Sequence, residues 1–534
     1  MTINEKRTNA ILFADCPGRR RAVLIAPALP LGFVFLAAVL TQYIQEDAFI
    51  YFRTASNLAL YGEYSFNIGE NYPAATSTLY AFLLAAHKVL FGDFFALTAQ
   101  VMNIFAAALG TWLLACTLPR STDEGGACIP FVFWVVAVSP PLVTLATSGM
   151  ETALLFLSLA TLVNGFHTRA APLIVVAALL LPLMRVEATI AAVLVAILAA
   201  FQRDWRIVMW TVVGIGTGVL AVLVTNILLT GEAIPQTITA KNAAYQPLRS
   251  IEALLGRAWQ IFFESSFFLG INSKFVPLPV YYLVGASALA VCTLVTVRYI
   301  SALLTGRKEM TNEYATAVLS VGIIVTFPLG YVYGGVIFSW YLWPSSVFAY
   351  YLFARILATA LAARIFVLWG IAALVTLLSL MNLVLLINYG YQEAQYRAAV
   401  GRFIASVAEP GDTLFLEPAG YIPYYAGLKT WDTVGLVSPE ILDYRGRGDS
   451  AWWIDFVRDK RPTWIVERSP IHRTGRPDAT VVDGFNEKDR SEFKAAYELV
   501  HHFVYDDFLD RNRSIMTPVY RLGGHSDYWV YRQK

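Results

Sequence analysis

The chain has 534 residues, 57% of them hydrophobic and 15% charged, with a mean hydropathy of +0.55. That balance excludes a single soluble globular domain and fits a protein that crosses a bilayer several times. A formal net charge of +2 gives no basic excess of the kind that holds nucleic acid, so no nucleic-acid partner is expected.

Charge is unevenly distributed. From residue 391 onward lie 21 of the 38 acids and 19 of the 40 bases. Residues 1–389 therefore read as a membrane domain, and 390–534 as a soluble α/β domain of ordinary size. The four cysteines, at 16, 116, 128 and 292, show neither CxxC nor metal-type spacing, so no disulfide framework or structural zinc is expected. The apolar run 23–43 follows Arg19–Arg21 but is long for a signal peptide and lacks a small-residue cleavage site, so it reads as a retained first helix.

A spanning helix needs about 20 mostly apolar residues. The candidates in chain order are 23–43, 95–118, 129–147, 150–167, 172–184, 188–201, 207–229, 277–298, 314–333, 341–361 and 365–388, about 11 crossings. Segments 172–184 and 188–201 are short and flank Met184-Arg185-Val186-Glu187, which suggests half-helices meeting at a polar point. Orientation follows Lys and Arg near helix ends. With eleven crossings, Arg19–Arg21, Arg120, Arg169, Arg203 with Arg206, Arg298 with Arg307 and Lys308, and Arg355 with Arg364 all face the cytoplasm.

The outer loop 44–94 carries the acid pair Glu46-Asp47. Beyond it, Phe49, Phe52, Ala55, Leu58 and Ala59 recur at helical spacing, which suggests an amphipathic helix lying along the interface. Tyr61-Gly62-Glu63 reads as a turn, and 77–91 as a second helix kept on the outer surface. In the tail, 392–407 reads as a helix, 413–417 and 463–467 as strands, 418–420 as a turn and 451–459 as a helix. The fold class is mainly α, a polytopic membrane protein with a C-terminal α/β domain.

Several residues carry chemistry. Asp47 can act as a general base on an attacking hydroxyl, with burial beside Glu46 keeping one pKa raised. The alternative is a solvated pair capping the next helix. Glu151, in Ser148-Gly149-Met150-Glu151, reads first as an acid at a helix N-terminus and second as a hydroxyl or metal contact. Arg185 and Glu187 interrupt apolar sequence; they either pair with each other or leave Arg185 to hold a phosphate. Lys241 lies in an outer loop and can meet a phosphate as a point charge. The tail aromatics Tyr421, Tyr424, Tyr425, Trp431, Trp452 and Trp453 either stack on sugar rings or form a core.

These motifs together resemble the GT-C glycosyltransferases, membrane enzymes that take sugars from polyprenyl-phosphate donors. The nearer resemblance is to the branch containing the cell-wall terminal β-arabinofuranosyltransferases. It rests on Glu46-Asp47, Phe52-Arg53, Asn67, Gly69-Glu70 and Thr76-Ser77-Thr78, with SGMET at 148–152, LMRVEA at 183–188, PQTITAKN at 235–242, SWYLWP at 339–344 and 421–441 in the tail. The pattern departs at Glu46, where Asp is usual, at Val186, where Pro is common, and in SWYLWP, which lacks a basic residue. The resemblance implies Asp47 as the catalytic base with Glu46 in support, and transfer with inversion to a hydroxyl of a cell-envelope glycan. Arg53, Arg185 and Lys241 are candidates for the donor phosphate, with Glu151 and Glu187 close to the substrate.

It also implies a bacterial cytoplasmic (inner) membrane, with the site and the C-terminal domain on the periplasmic side. Metal need stays open, because Asp47 and Glu46 are the oxygen ligands that Mg²⁺ or Mn²⁺ would take. A transporter or flippase of lipid-linked sugars is the rival class, but the inverted repeats common in transporters are not visible.

Overall fold

A computed structural model of the chain describes residues 28–118, 128–233, 236–244, 248, 250–271, 275–334, 337–446, 451–471, 486–523 and 525–534. Cys16, Arg19–Arg21, Arg120 and Pro235, used above, lie outside them.

Every apolar segment named above is helical where described. Helix α1 (Ala28–Thr41) leads to the outer-loop helices α2 (Ala48–Tyr61) and α3 (Thr78–Phe91). The bundle continues through α4 (Phe95–Ala115), α5 (Cys128–Ala137), α6 (Pro140–Thr147), α7 (Thr152–Thr168), α8 (Ala171–Met184), α9 (Thr189–Phe201) and α10 (Trp205–Thr230). After α11 (Gln236–Ala244) and α12 (Ile251–Glu264) come α13 (Leu278–Leu304), α14 (Lys308–Tyr333), α15 (Ser339–Ala360) and α16 (Ile365–Tyr391).

Five helical runs are long and apolar enough to cross a membrane, or six if α5 and α6, bent by 58°, form one span. Helices α7, α8 and α9 are apolar but have 17, 14 and 13 residues. At 1.5 Å per residue they reach only about 20–25 Å. The eleven segments are thus present as helices, while fewer meet the length of an independent span. The short ones are packed among the others. A Cβ on Gly214 or Gly218 of α10 would overlap the α8 backbone at Val175 or Leu179, so glycine lets the two helices touch. The longer helices turn large apolar side chains outward, among them Val212, Leu220 and Leu228 of α10, as lipid contact requires.

Helix direction sorts the charges to two ends. Arg169 closes α7 and meets Asp204 (3.3 Å) at the start of α10, and Arg355 donates to the Thr117 carbonyl (2.6 Å). At the far end of α7, about 27 Å away by helix length, lie Glu151, Arg185 and Tyr331.

Helix α16 passes through a π-turn (Gln392–Arg397) into α17 (Ala398–Val407) and so enters the C-terminal domain. There β1 (Thr413–Leu416), α18 (Tyr421–Ala426), β2 (Lys429–Asp432), α19 (Glu440–Arg445), α20 (Trp452–Lys460) and β3 (Trp464–Glu467) precede α21 (Glu487–Ala496), β4 (Tyr497–Phe503), α22 (Tyr505–Arg511), α23 (Thr517–Tyr520) and β5 (Tyr528–Gln533). The sheet order is β2-β1-β3-β5-β4. Strands β2, β1 and β3 are parallel, and β5 is antiparallel to both β3 and β4. Strands β1 and β3 and helix α20 match the sequence reading; β2, β4 and β5 were not foreseen. The tail aromatics fill cores: Trp453 is wholly buried, and Tyr421, Trp431 and Trp452 nearly so. Packing is the use of these four, while Tyr424 and Tyr425 are half-buried beside Phe49.

Helix α2 departs from expectation in an informative way. Its apolar face was expected to meet lipid, yet it is covered by protein. Phe49 packs on Tyr421 of α18 (ring centroids 3.8 Å apart) and Phe52 on Phe95 of α4 (5.3 Å). The helix is a spacer between bundle and sheet domain.

Polar side chains complete that joint. Arg53 donates to the carbonyls of Phe66 (2.9 Å), Pro423 (2.9 Å) and Leu428 (2.7 Å) and lies over the Phe66 ring (4.4 Å). The Asn67 amide accepts from Thr430 N and donates to Thr430 O, both at 2.9 Å, so it pairs with β2 as a neighbouring strand would. Hydrogen bonds to a charged group contribute about 1.5–3 kcal/mol each, and Arg53 makes several across this joint. Arg53→Ala should cost about 3 kcal/mol, read as a lower melting temperature and faster proteolysis of the C-terminal domain in detergent. Lysine should not restore it, because one ammonium cannot span three carbonyls in the geometry of the fork.

Candidate active site

The acid pair sits where α1 gives way to α2. Gln45 N donates to the Ser148 carbonyl (2.8 Å), which fixes this turn beside the start of α7. From there the two acids diverge. The Glu46 carboxylate is buried; Oε1 accepts from the backbone N–H groups of Gly420 (2.8 Å) and Tyr421 (3.0 Å), and Oε2 pairs with Arg397 Nη1 (2.7 Å). Burial opposes its ionisation, but the Arg397 guanidinium outweighs that and holds its pKa below the usual range. A Cβ on Gly420 would overlap Glu46 itself, so only glycine allows this approach.

Asp47 is half-buried and caps nothing: α2 begins without a side-chain hydrogen bond from it. The capping alternative is thereby removed. Its carboxyl faces a cavity of about 320 Å³. Burial pushes its pKa up to about 6; Lys241 and Arg185 pull it down, while Glu46 and Glu151 push it up.

Across the cavity stand Arg185 and Lys241. Arg185 leaves α8 at the break before α9, with φ −155° and ψ 126°. Its Nε donates to Glu151 Oε1 (2.7 Å), and its Nη1 to Glu187 Oε1 (3.2 Å) and the Tyr331 hydroxyl (3.2 Å). So Arg185 has both acids as partners, and the half-helices do meet at a polar point. No partner among the described residues takes its Nη2. The guanidinium lies 4.3 Å from the Tyr341 ring centroid, and Lys241 Nζ lies 5.3 Å from the same centroid. Lys241 forms no ion pair among the described residues.

A second cavity, of about 390 Å³, opens behind these cations. Its wall is mostly apolar and includes Val186, Ile190, Ile238 and Phe327. The two cavities share Thr76, Arg185, Thr237, Lys241 and Tyr341, so the cations stand where they join.

Buried polar atoms without partners gather here: Glu151 Oε2, Thr237 Oγ1, Trp340 Nε1 and Arg468 Nε, counted among the described residues. Each such atom costs about 1–3 kcal/mol unless something satisfies it. Their concentration around one cavity is what a polar ligand site requires.

Of the residues singled out in the sequence, Asp47, Glu46, Arg185 and Lys241 line the first cavity and Glu187 the second. Glu151 stands directly behind Arg185. Arg53 is not brought there; its guanidinium is spent on the joint to the sheet domain. The sequence reading missed Glu393, Arg397, Glu417 and Arg468, which also line the first cavity. Glu417 and Arg468 directly follow parallel strands, the usual place for ligand contacts in open α/β sheets, but that signal needs the strand order as well as β1 and β3. As to a divalent cation, both Glu46 oxygens are taken by protein donors. Among the described residues no group of three or more His, Cys, Asp or Glu side chains is arranged to hold a metal. Of the pair, Asp47 is the acid with carboxylate oxygens open to a ligand.

Comparison with known proteins bears on the fold. The family model "Domain of unknown function (DUF8728)" matches residues 387–531. No curated protein sequence matches the chain. Among solved structures, ArnT from Cupriavidus metallidurans bound to undecaprenyl phosphate is similar over 83% of this chain and 92% of that one, with a TM-score of 0.52 and 13% identity. The apo state of the same protein aligns with a TM-score of 0.38, also at 13% identity, over 82% of this chain and 92% of that one. At such identity the first likeness concerns the path of the chain: this is a multi-pass membrane protein with an ArnT-like fold and a small sheet domain at its C-terminal end.

Proposed function

We propose that the chain is a membrane glycosyltransferase that moves a sugar from a polyprenyl-phosphate donor to an acceptor hydroxyl. One observation carries the reading: an apolar cavity and a polar cavity meet at Arg185 and Lys241, with a carboxyl of raised pKa facing the junction. A prenyl-phosphate sugar has the same three parts in the same order. ArnT, whose fold this chain shares, was crystallised with undecaprenyl phosphate.

In this scheme the prenyl chain occupies the apolar cavity and its phosphate lies at Arg185 and Lys241. The acceptor hydroxyl attacks the anomeric carbon. A new carbon–oxygen bond forms, the bond to the phosphate oxygen breaks, and its electron pair leaves with the prenyl phosphate. Asp47 takes the hydroxyl proton. The leaving phosphate gains charge, and the cations, held in place before the reaction, stabilise it without reorganising. A single displacement inverts the anomeric configuration. The sequence motifs further favour a pentofuranose such as arabinofuranose and a cell-envelope glycan acceptor, with the site on the periplasmic side of a bacterial inner membrane.

Asp47→Asn should lower kcat at least 100-fold, the scale of a lost general base, with the melting temperature unchanged or raised because a disfavoured buried charge is gone. Unchanged turnover removes Asp47 from this role. Lys241→Ala should raise the donor KM about tenfold or more in the same assay. With Asp47 titrating at about 6, the base is protonated below that pH. kcat/KM should then fall about tenfold per unit below pH 6 and level off above it. A profile flat down to pH 4.5 contradicts the assignment.

A further inference from the structure

The roof of the polar cavity comes from the C-terminal domain and, apart from Glu393 and Arg397 of the π-turn, from one edge of the sheet. Glu417, Pro418 and Ala419 follow β1; Asp432 ends β2, and Val434 and Leu436 follow it; Arg468 follows β3. These are the carboxyl ends of the three parallel strands. Strand β1 is central, its first successor β2 lies on one side and β3 on the other. The chain therefore reverses direction across the sheet between β1 and β3, and ligands of open α/β sheets bind in the crevice at such a point. Here that crevice opens toward Asp47.

The side chains at the crevice are of two kinds. Asp432 is internal: its carboxylate accepts from the N–H groups of Val434 (3.2 Å), Leu436 (2.9 Å) and Val437 (2.8 Å) and from the Ser438 hydroxyl (3.1 Å), which shapes the loop. Glu417 and Arg468 are not used this way. Among the described residues, the one side-chain hydrogen bond of Glu417 is a long one from the Thr433 hydroxyl (3.5 Å). Arg468 Nε is buried without a partner among the described residues, and no ion pair joins it to Glu417. On the facing wall the Trp340 indole N–H is also buried, with no partner among the described residues. The Thr237 hydroxyl, 3% exposed, belongs to the junction with the apolar cavity and so to the donor side.

We infer that this crevice, with Glu417 and Arg468 as its polar contacts, binds the acceptor as a neutral carbohydrate chain. The inference rests on the glycosyltransferase reading and extends it. Glu417 and Arg468 offset one another, and the third charge of the crevice, Asp432, is taken up by its own loop, so the free pair gives no preference for an anion or a cation. Each is planar and two-pronged, suited to neighbouring hydroxyls of a sugar ring: the carboxylate accepts two, and the guanidinium donates to two. The indole N–H adds a third donor on the opposite wall. A hydroxyl of a chain held there lies on the Asp47 side of the cavity, away from the apolar one.

The test uses the full chain in nanodiscs and two probes. The first is a set of neutral oligosaccharides cut from arabinan, mannan and glucan, with oligogalacturonides as the anionic comparison, followed by saturation-transfer NMR. Wild type should bind at least one neutral oligosaccharide and not the oligogalacturonides. Glu417→Gln and Arg468→Gln should each weaken that binding about tenfold or more. The second probe is undecaprenyl phosphate, whose rise in melting temperature should persist in both variants and so report a folded donor side. Equal binding by wild type and both variants, preference for the anionic chains, or binding of no neutral chain overturns the acceptor site. If undecaprenyl phosphate fails to stabilise wild type, the glycosyltransferase reading falls instead.

Discussion

The buried contact between Glu46 and the sheet domain is the constraint on which the site depends. An ion pair taken out of water is stable only when its remaining hydrogen-bonding positions are filled. Here one carboxylate oxygen has Arg397 and the other has two backbone N–H groups. Losing any one would leave charge buried and unpaired. The contact joins the first outer turn of the membrane part to α18, which lies some 370 residues later in the chain. It closes the cavity from above and sets the orientation of the next residue, Asp47.

The division between the two acids follows from this. Glu46 gives up its reactivity to hold the domains together. Asp47, one residue on, has no such partners and keeps an available carboxylate. Burial alone would raise its pKa much further; two cations across the cavity limit the rise. Arg185 is held apart from it by Glu151, Glu187 and Tyr331, and Lys241 stands over the Tyr341 ring, so both attract Asp47 without pairing with it. An acid near neutrality opposite fixed positive charge is the arrangement that proton abstraction and phosphate departure both need.

Much of this was legible in the sequence. Helix positions could be read because apolar runs in lipid are long and carry few charges. Arg185 and Glu187 stood out because charge is costly within apolar sequence, Asp47 because an acid pair directly follows an apolar run, and Lys241 as a cation in an outer loop. Length was harder to judge: α8 looks like a poor span until Gly214 and Gly218 of α10 show how closely it is packed. The face of α2 was misjudged because an apolar stripe does not say whether lipid or protein covers it. Arg53 was misassigned for a related reason. Its partners are backbone carbonyls of residues 423 and 428, which have no sequence signature. The roof residues Glu417 and Arg468 depend on strand order, and the order was hidden while β2 and β5 were unseen.

One consequence concerns mechanics. The run from Ile365 to Val407 is a single helical rod of 43 residues. At 1.5 Å per residue it is about 65 Å long, roughly twice the apolar thickness of a bilayer. The upper half acts as a lever whose fulcrum is the membrane surface. A lean of about 5° at that fulcrum displaces the upper end by about 2–3 Å, comparable to one hydrogen-bond length. That upper half carries Arg397, the partner of Glu46, so the membrane-anchored rod and the turn that bears Asp47 are tied at one point.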